Sequence, residues 1–157
     1  MSSLVCFTDG SAIKNGSPNA RASYSVVWPE HPHMNVAVSI PPPCTNNRGE
    51  FSGAIRALQQ ADELDPLKEH KLVIYTDSML LVNSLTKWIS KWIKNGWVKS
   101  DGSEVLNKDL LKLLVDGMEK RKVDFVHVKA HTKAMTFEAI NNRLADRLAK
   151  DCLVNST

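Results

Sequence analysis

The sequence predicts an α/β fold on a mixed sheet, antiparallel on one side and parallel on the other, and three observations carry that expectation. Two short apolar runs, Leu4-Val5-Cys6-Phe7 and Leu72-Val73-Ile74-Tyr75, suit buried strands, and both end on Thr-Asp and a small residue: Thr8-Asp9-Gly10 and Thr76-Asp77-Ser78. Between and beyond them the apolar residues switch to helical spacing. The resulting string, β-β-β-α-β-α-α-β-α, fits within 157 residues, so one domain over 1–157 is expected.

Leu4 to Thr8 is the first strand, and Gly10 to Ala20, with Asn15-Gly16 and Ser17-Pro18, reads as a turn or loop. Ala22 to Trp28 alternates as a second strand. Pro29 to His33 is a turn, and Met34 to Ile40 a third strand that completes an antiparallel meander before Pro41-Pro42-Pro43. Phe51, Ala54, Ile55 and Leu58 then recur at helical spacing, with Thr45 or Asn46 as the cap, Glu50 in the first turn and an end near Asp65-Pro66. The strand leading to Asp77 comes next. Ser78 to Ile93 reads as helix in one or two pieces, stopped by Asn95-Gly96. Val105 to Lys120 is a helix with Leu110, Leu113, Leu114 and Met118 on its apolar face, Val123 to Val128 a fifth strand, and Thr136 to Leu153 a last helix on the stripe Ile140, Leu144, Leu148, Cys152.

Bulk properties exclude several classes. With 43% hydrophobic and 24% charged residues the chain is neither disordered nor a coiled coil. No apolar run approaches the roughly 18 residues of a membrane span, so no membrane association is expected. Met-Ser-Ser leads directly into strand-like sequence without a secretory leader. Cys6, Cys44 and Cys152 are odd in number and scattered, which argues against a disulfide framework or a zinc site. An intracellular protein of cytoplasm or nucleus, not secreted and monomeric, is the expectation. His31 and His33, in a turn with two prolines and no further ligand, do not make a metal site. The net charge of +3 is less than the four lysines between Ser78 and Ser100, a stretch with no acid and three of the four tryptophans, so the positive excess is one local patch.

The chemistry-bearing residues are carboxylates. If the first and fourth strands lie parallel and adjacent, Asp9 and Asp77 sit side by side at the opening of the sheet, where two bare charges require a shared proton or a cation. Glu50 opens a helix and Asp146 lies within the last one. Singly each has a mundane explanation, because most helical acids are solvated and a first-turn Glu favours the helix dipole. Converging from separate elements, they offer the hard oxygen ligands that magnesium takes, and a pair of such ions can activate water against a phosphodiester.

Four blocks, Phe7-Thr8-Asp9-Gly10-Ser11, Thr45-Asn46-Asn47-Arg48-Gly49-Glu50, Tyr75-Thr76-Asp77-Ser78 and Asn142-Arg143-Leu144-Ala145-Asp146-Arg147-Leu148-Ala149, resemble in order the signature blocks of type 1 ribonuclease H. The resemblance spans the chain and is to the catalytic domain of the cellular eukaryotic type, with a basic protrusion and without a hybrid-binding domain. It implies a ribonuclease H-like fold, a five-stranded mixed sheet flanked by helices. It also implies that Asp9, Glu50, Asp77 and Asp146 hold two Mg2+ ions, with Mn2+ a possible substitute, and cleave the RNA strand of an RNA–DNA hybrid.

By the same resemblance, Lys87, Trp88, Lys91, Trp92 and Lys94 form a protrusion that grips the DNA strand. Lysines supply phosphate attraction and aromatic faces pack on sugars, though tryptophans in the core and lysines on a solvated face would read alike. Asn107 falls where the family contacts a DNA phosphate with Thr45, and Pro43 stands where cellular members often have an arginine. Asn15, Asn46, Asn47 and Met79 are implied in reading the RNA 2′-hydroxyl, while Asn-Gly turn chemistry alone also explains Asn15. His131 follows the fifth strand, where the family has a mobile histidine for proton transfer or product departure. Here Ala130 replaces the usual glycine and the segment to Asp146 is longer. Two readings compete with the nuclease: an inactive hybrid-binding module, and another polynucleotidyl transferase of the same fold.

Overall fold

The first strand runs further than its apolar residues suggest. In the computed structural model, which describes residues 3–155, β1 spans Leu4–Ile13 and continues straight through Asp9 into the stretch expected to be a turn. Met1, Ser2, Ser156 and Thr157, and with them most of the Met-Ser-Ser start and the ends of the expected domain, lie outside the described residues. The extension has a partner: β2, Arg21–Val27, pairs antiparallel with β1 from Phe7↔Val27 to Ile13↔Arg21. Backbone pairing, not side-chain hydrophobicity, keeps Gly10 to Ile13 extended. A 3₁₀ turn at Pro32–Met34 leads to β3, Val36–Ser39, antiparallel to β2.

Thr45 caps α1, Asn46–Leu64, its hydroxyl accepting from the Arg48 N–H at 3.1 Å. The helix therefore begins early enough that Glu50 sits beyond its first turn, not within it as expected, and is buried. β4, Leu72–Thr76, lies parallel to β1, and β5, Val123–His127, lies parallel to β4, giving one sheet in the order β3-β2-β1-β4-β5. The parallel pairing of β1 with β4 stops at Phe7↔Tyr75. Asp9 and Asp77 thus lie just past the point where the two strands part, the crevice in which open α/β sheets place ligands.

The segment after Asp77 is three short helical pieces, α2 at Met79–Asn83, a π-helical turn at Ser84–Trp88 and α3 at Ile89–Lys94. Then α4 runs Lys108–Lys120 and α5 Phe137–Asn155. The helix expected from Val105 starts three residues late because Asn107 adopts a left-handed conformation (φ +62°) at its cap. Its buried residues are Leu111 and Leu114, while Leu113 is more than half exposed. On α5 the inward face is centred beside the expected stripe: Asn142, Ala145, Ala149 and Leu153 are buried, Leu144 and Leu148 pack on the core while partly buried, and Ile140 is exposed. The cause lies on β2, where the Ser23 and Ser25 hydroxyls each donate at 2.6 Å to the carbonyls of Ala149 and Ala145. Small residues on both surfaces let helix and sheet approach closely enough for those bonds.

The core on the α1 side of the sheet contains Trp28, Phe51, Leu72, Ile74, Leu81, Leu111 and Leu114, and on the α5 side Phe7, Val27 and Ala145. At the far end from Asp9, the buried Arg121 bonds the Asp65 carboxylate at 2.6 Å, Asp62 at 3.0 Å and the Ala61, Asp65 and His70 carbonyls, tying the end of α1 to the start of β5.

Candidate active site

Ligand oxygens of Asp9, Glu50 and Asp77 lie within 4.8 Å of one another. Each is placed by local chemistry. The Asp9 Oδ1 accepts from the Gly10 N–H at 2.9 Å, and the same N–H donates to Glu50 Oε1, so one backbone donor joins β1 to α1. Only glycine permits this approach, because a Cβ on residue 10 would lie 2.5 Å from the Glu50 nitrogen. Glu50 Oε2 accepts from the buried Thr76 hydroxyl at 3.5 Å, a long bond from the end of β4. Asp77 Oδ2 accepts from Asn142 Nδ2 at 3.3 Å, across from α5. Ser78 caps α2 through the Leu81 N–H, so Asp77 sits at the turn from strand to helix.

Asp146 lines the same cavity of about 420 Å³ with Asp9, Glu50, Asp77 and His131, but it stands outside the tight group of three. Its carboxylate pairs with Lys150 at 3.0 Å on the next turn of α5. Burial, then the charges of Glu50 and Asp77, push the Asp9 carboxyl well above the usual range. Burial also raises Glu50, with Asp77 adding to it, although hydrogen bonds from Asp9, Gly10 and Thr76 oppose the shift. Asp9 Oδ2 is buried without a hydrogen-bond partner. An unpaired buried carboxylate oxygen beside two further carboxylates is an anionic pocket that a hard cation would complete.

The other expected site residues fall in two groups. Asn15 and Asn46 meet at the rim, where Asn15 Oδ1 accepts from the Asn46 N–H at 3.4 Å, and Asn46 lines the carboxylate cavity. Met79 is exposed one residue beyond Ser78. His131 is exposed, at φ +54°, and faces the carboxylates from the segment after β5. The second group lies around α3. Lys87, Lys91 and Lys94 share one shallow depression, and Trp88, Lys91, Trp92 and Lys99 line another. The tryptophans divide between the two expected roles: Trp88 is exposed, whereas Trp92 and Trp97 pack against the core. Asn47, Trp88 and Asn107 line a cavity of about 220 Å³ that links the groups. Thr45 and Asn107 are joined through Arg48, whose N–H is capped by Thr45 and whose Nη1 donates to Asn107 Oδ1 at 3.2 Å. Arg48 also forks onto the Asp109 carboxylate at 3.0 and 2.8 Å.

Three residues that the signature blocks contain without assigning them a role support the acids: Gly10 as a shared donor, Thr76 against Glu50 and Asn142 against Asp77. Asn142 is within reach of sequence reasoning, since it precedes Asp146 by four residues and so shares its helix face. Gly10 and Thr76 act through contacts that no spacing reveals.

A five-stranded mixed sheet in the order 3-2-1-4-5, with carboxylates gathered where β1 and β4 part, is the ribonuclease H-like fold. A solved foamy viral protease-reverse transcriptase in complex with dsDNA matches it with a TM-score of 0.76 at 24% identity, over 96% of this chain and 93% of that one. LC11-RNase H1 in complex with an RNA/DNA hybrid matches with a TM-score of 0.67 at 22% identity, over 98% of both chains. The chain belongs to the ribonuclease H family, whose model (RNase H) matches residues 1–153. It is 40% identical to Ribonuclease H1 of Homo sapiens over 152 residues, 94% of this chain and 49% of that protein. It is 33% identical to Ribonuclease H of Novosphingobium aromaticivorans, over 96% of each. The chain thus spans about half the length of the mammalian relative and nearly all of the bacterial one.

Proposed function

We propose that the chain is an endoribonuclease that hydrolyses the RNA strand of RNA–DNA hybrids, dependent on two divalent ions, Mg2+ in nature with Mn2+ able to substitute. The observation that carries this is the group formed by Asp9, Glu50 and Asp77, with an orphaned buried oxygen on Asp9 and Asp146 on the same cavity. Those four residues would hold the ions. When bound, the ions supply an activated water and stabilise the charge that develops on the leaving oxygen.

The chain's own residues do the rest. Gly10, Thr76 and Asn142 orient the carboxylates before substrate arrives. Hydrolysis joins a water oxygen to phosphorus and breaks the bond to the 3′-oxygen, which must collect a proton. The imidazole of His131 would deliver it, a reading supported by its position on the rim of the carboxylate cavity. Asn15 and Asn46 offer amide groups to 2′-hydroxyls beside that cavity. Lys87, Lys91 and Lys94 attract the DNA phosphates, and Trp88 gives a flat exposed face to a sugar. Asn47, Thr45 and Asn107 lie between, on the track a duplex bridging both groups would follow. The domain works as a monomer, and the free thiols of Cys6, Cys44 and Cys152 support an intracellular setting. Among the described residues no helix is long and apolar enough to cross a membrane.

Digestion of matched RNA–DNA, RNA–RNA and DNA–DNA duplexes, with magnesium or with EDTA, tests the reading. Only the hybrid should be cut, in its RNA strand and only with metal. Equal cutting of RNA–RNA, or cutting in EDTA, would refute it.

A further inference from the structure

The segment between β5 and α5 hangs on one side chain. Arg143, in the second turn of α5, donates from Nη1 to the carbonyl oxygens of Thr132 at 2.8 Å and Ala134 at 2.7 Å, and its Nη2 lies 3.7 Å from the Met135 sulfur. Among the described residues it makes no salt bridge, so these donors serve the backbone of a single loop. One guanidinium nitrogen bonded to two carbonyls two residues apart, with the other against the Met135 sulfur, fixes the loop's direction as well as its distance from the helix. The loop has little else of its own beyond the Thr132 hydroxyl accepting from the Ala134 N–H at 3.2 Å. Directly before the clamped residues is His131, in a left-handed conformation that a non-glycine residue keeps only when its surroundings impose it. Arg143, His131, Asp77 and Asp146 line one cavity of about 680 Å³.

We propose that Arg143 is a positioning residue for hybrid cleavage: by bridging the carbonyls of Thr132 and Ala134 it holds His131 in the cavity shared with Asp77 and Asp146. This rests on the hydrolytic reading above. Arg143 precedes Asp146 by three residues, about one helical turn, so a single helix both carries a metal-binding carboxylate and anchors the histidine's loop. The distance between them becomes a property of α5. The long segment from His131 to Asp146, which leaves the histidine's position open in the sequence, is therefore tethered at its near end.

The test compares the parent with Arg143→Met, His131→Ala, the double variant and Arg143→Lys on one hybrid substrate. Methionine keeps the aliphatic stem and removes the donors. His131→Ala should lower kcat about 10- to 100-fold, the usual contribution of a general acid. Arg143→Met should lower kcat about 5- to 50-fold with KM within about threefold, because the loss is in placing the acid and not in holding substrate. The double variant should be no slower than His131→Ala within about threefold, since the arginine acts through the histidine. Arg143→Lys, with one ammonium for two carbonyls, should fall between Arg143→Met and the parent. In parallel, amides of residues 130–136 should exchange hydrogen faster in Arg143→Met, with those of β1 and β4 unchanged. Parental kcat in Arg143→Met, parental kcat in His131→Ala, losses that multiply in the double variant, or unchanged exchange in the loop would each overturn the proposal. If Arg143→Met does not fold, Arg143→Lys carries the same comparison, and parental kcat there overturns it. A parent that cuts no hybrid is seen before any variant is made and brings down the hydrolytic reading itself.

Discussion

Gly10 is the residue with least room for change. Its N–H serves two carboxylates at once, and a methyl group there would meet the backbone of Gly49 at 2.8 Å and of Glu50 at 2.5 Å. Because those atoms are main chain, relief requires moving α1 away from β1. Gly10→Ala should therefore lower Tm and cleavage together, and unchanged melting with parental kcat would remove Gly10 from the site's framework. Asp77→Asn separates the two effects. The amide oxygen introduced by this substitution can still accept from Asn142, so the fold is kept while metal charge is lost. Cleavage should be abolished with hybrid affinity nearly intact, and residual turnover within roughly tenfold of the parent would refute the assignment. In EDTA the same variant should melt no earlier than the parent, since one of the mutually repelling carboxylates is gone. That Asp9, Glu50 and Asp77 converge, with Asp146 on the same cavity, was legible because each closes an apolar run or lies within a distinctive block. Their supports were not, because a shared N–H is a property of three-dimensional approach and leaves no periodicity.

At the scale of elements, the segment after Asp77 carries the basic patch. Ser84–Trp88 winds as a π turn between α2 and α3, and Lys87, Lys91 and Lys94 line one depression. Changing all three to Ala should weaken hybrid binding and flatten its salt dependence by up to about 0.9 in log–log slope for each phosphate no longer neutralised, on the B-DNA scale. An unchanged slope would make the segment an ordinary solvated surface. Arg121 does for the opposite end of the fold what Gly10 does for the site. Arg121→Met leaves Asp65 buried without its cation and takes the guanidinium donor from the His70 carbonyl, while the Ala61 and Asp65 carbonyls keep the N–H groups of Asp65 and Lys68, so Tm should fall by about 5 °C or more with KM unaffected. The antiparallel meander and the mixed sheet were legible, and the parallel pairing of β1 with β4, which the sequence offers only as a condition for bringing the two acids together, is the arrangement found. The inward face of α4 was legible apart from Leu113, since Leu110, Leu114 and Met118 pack on the core, whereas that of α5 was legible only in part. Counting apolar residues rightly finds Leu144 and Leu148, which pack on the core, but also favours the exposed Ile140 and passes over the alanines across which the serine hydroxyls of β2 reach the carbonyls of α5. The turn expected from Gly10 begins only at Lys14, because the polar residues before it stay extended against β2.

Over the whole molecule, the carboxylates make stability depend on pH with opposite signs at the two ends of the scale. Asp9 and Glu50 are raised by burial and by neighbouring charge, so between the ordinary carboxylate range and their native values the folded chain binds more protons than the unfolded one. Stability without metal must then fall as pH rises, with Glu50 contributing up to about pH 7 and Asp9 continuing to about pH 10. The slope is at most about 1.4 kcal/mol per pH unit for each group. Asp65 acts the other way. Burial alone would raise its carboxyl, but the Arg121 guanidinium and the His70 and Glu69 N–H groups hold it well below the usual range, so its contribution is present above that range and lost as pH falls through it. The metal-free protein should therefore be most stable in mildly acidic solution. Divalent ions bind the deprotonated carboxylates and so must stabilise more as pH rises, flattening or reversing the decline. Calorimetric Tm in EDTA should drop steadily from pH 6 to pH 9 and recover with magnesium, most at the alkaline end. Glu50→Gln, which removes one of the two titrating groups, should reduce the drop between pH 5 and pH 7. A Tm in EDTA that stays level or climbs over the same range would mean that Asp9 and Glu50 are already ionised in the folded chain, and that the pocket tolerates its charge without a cation.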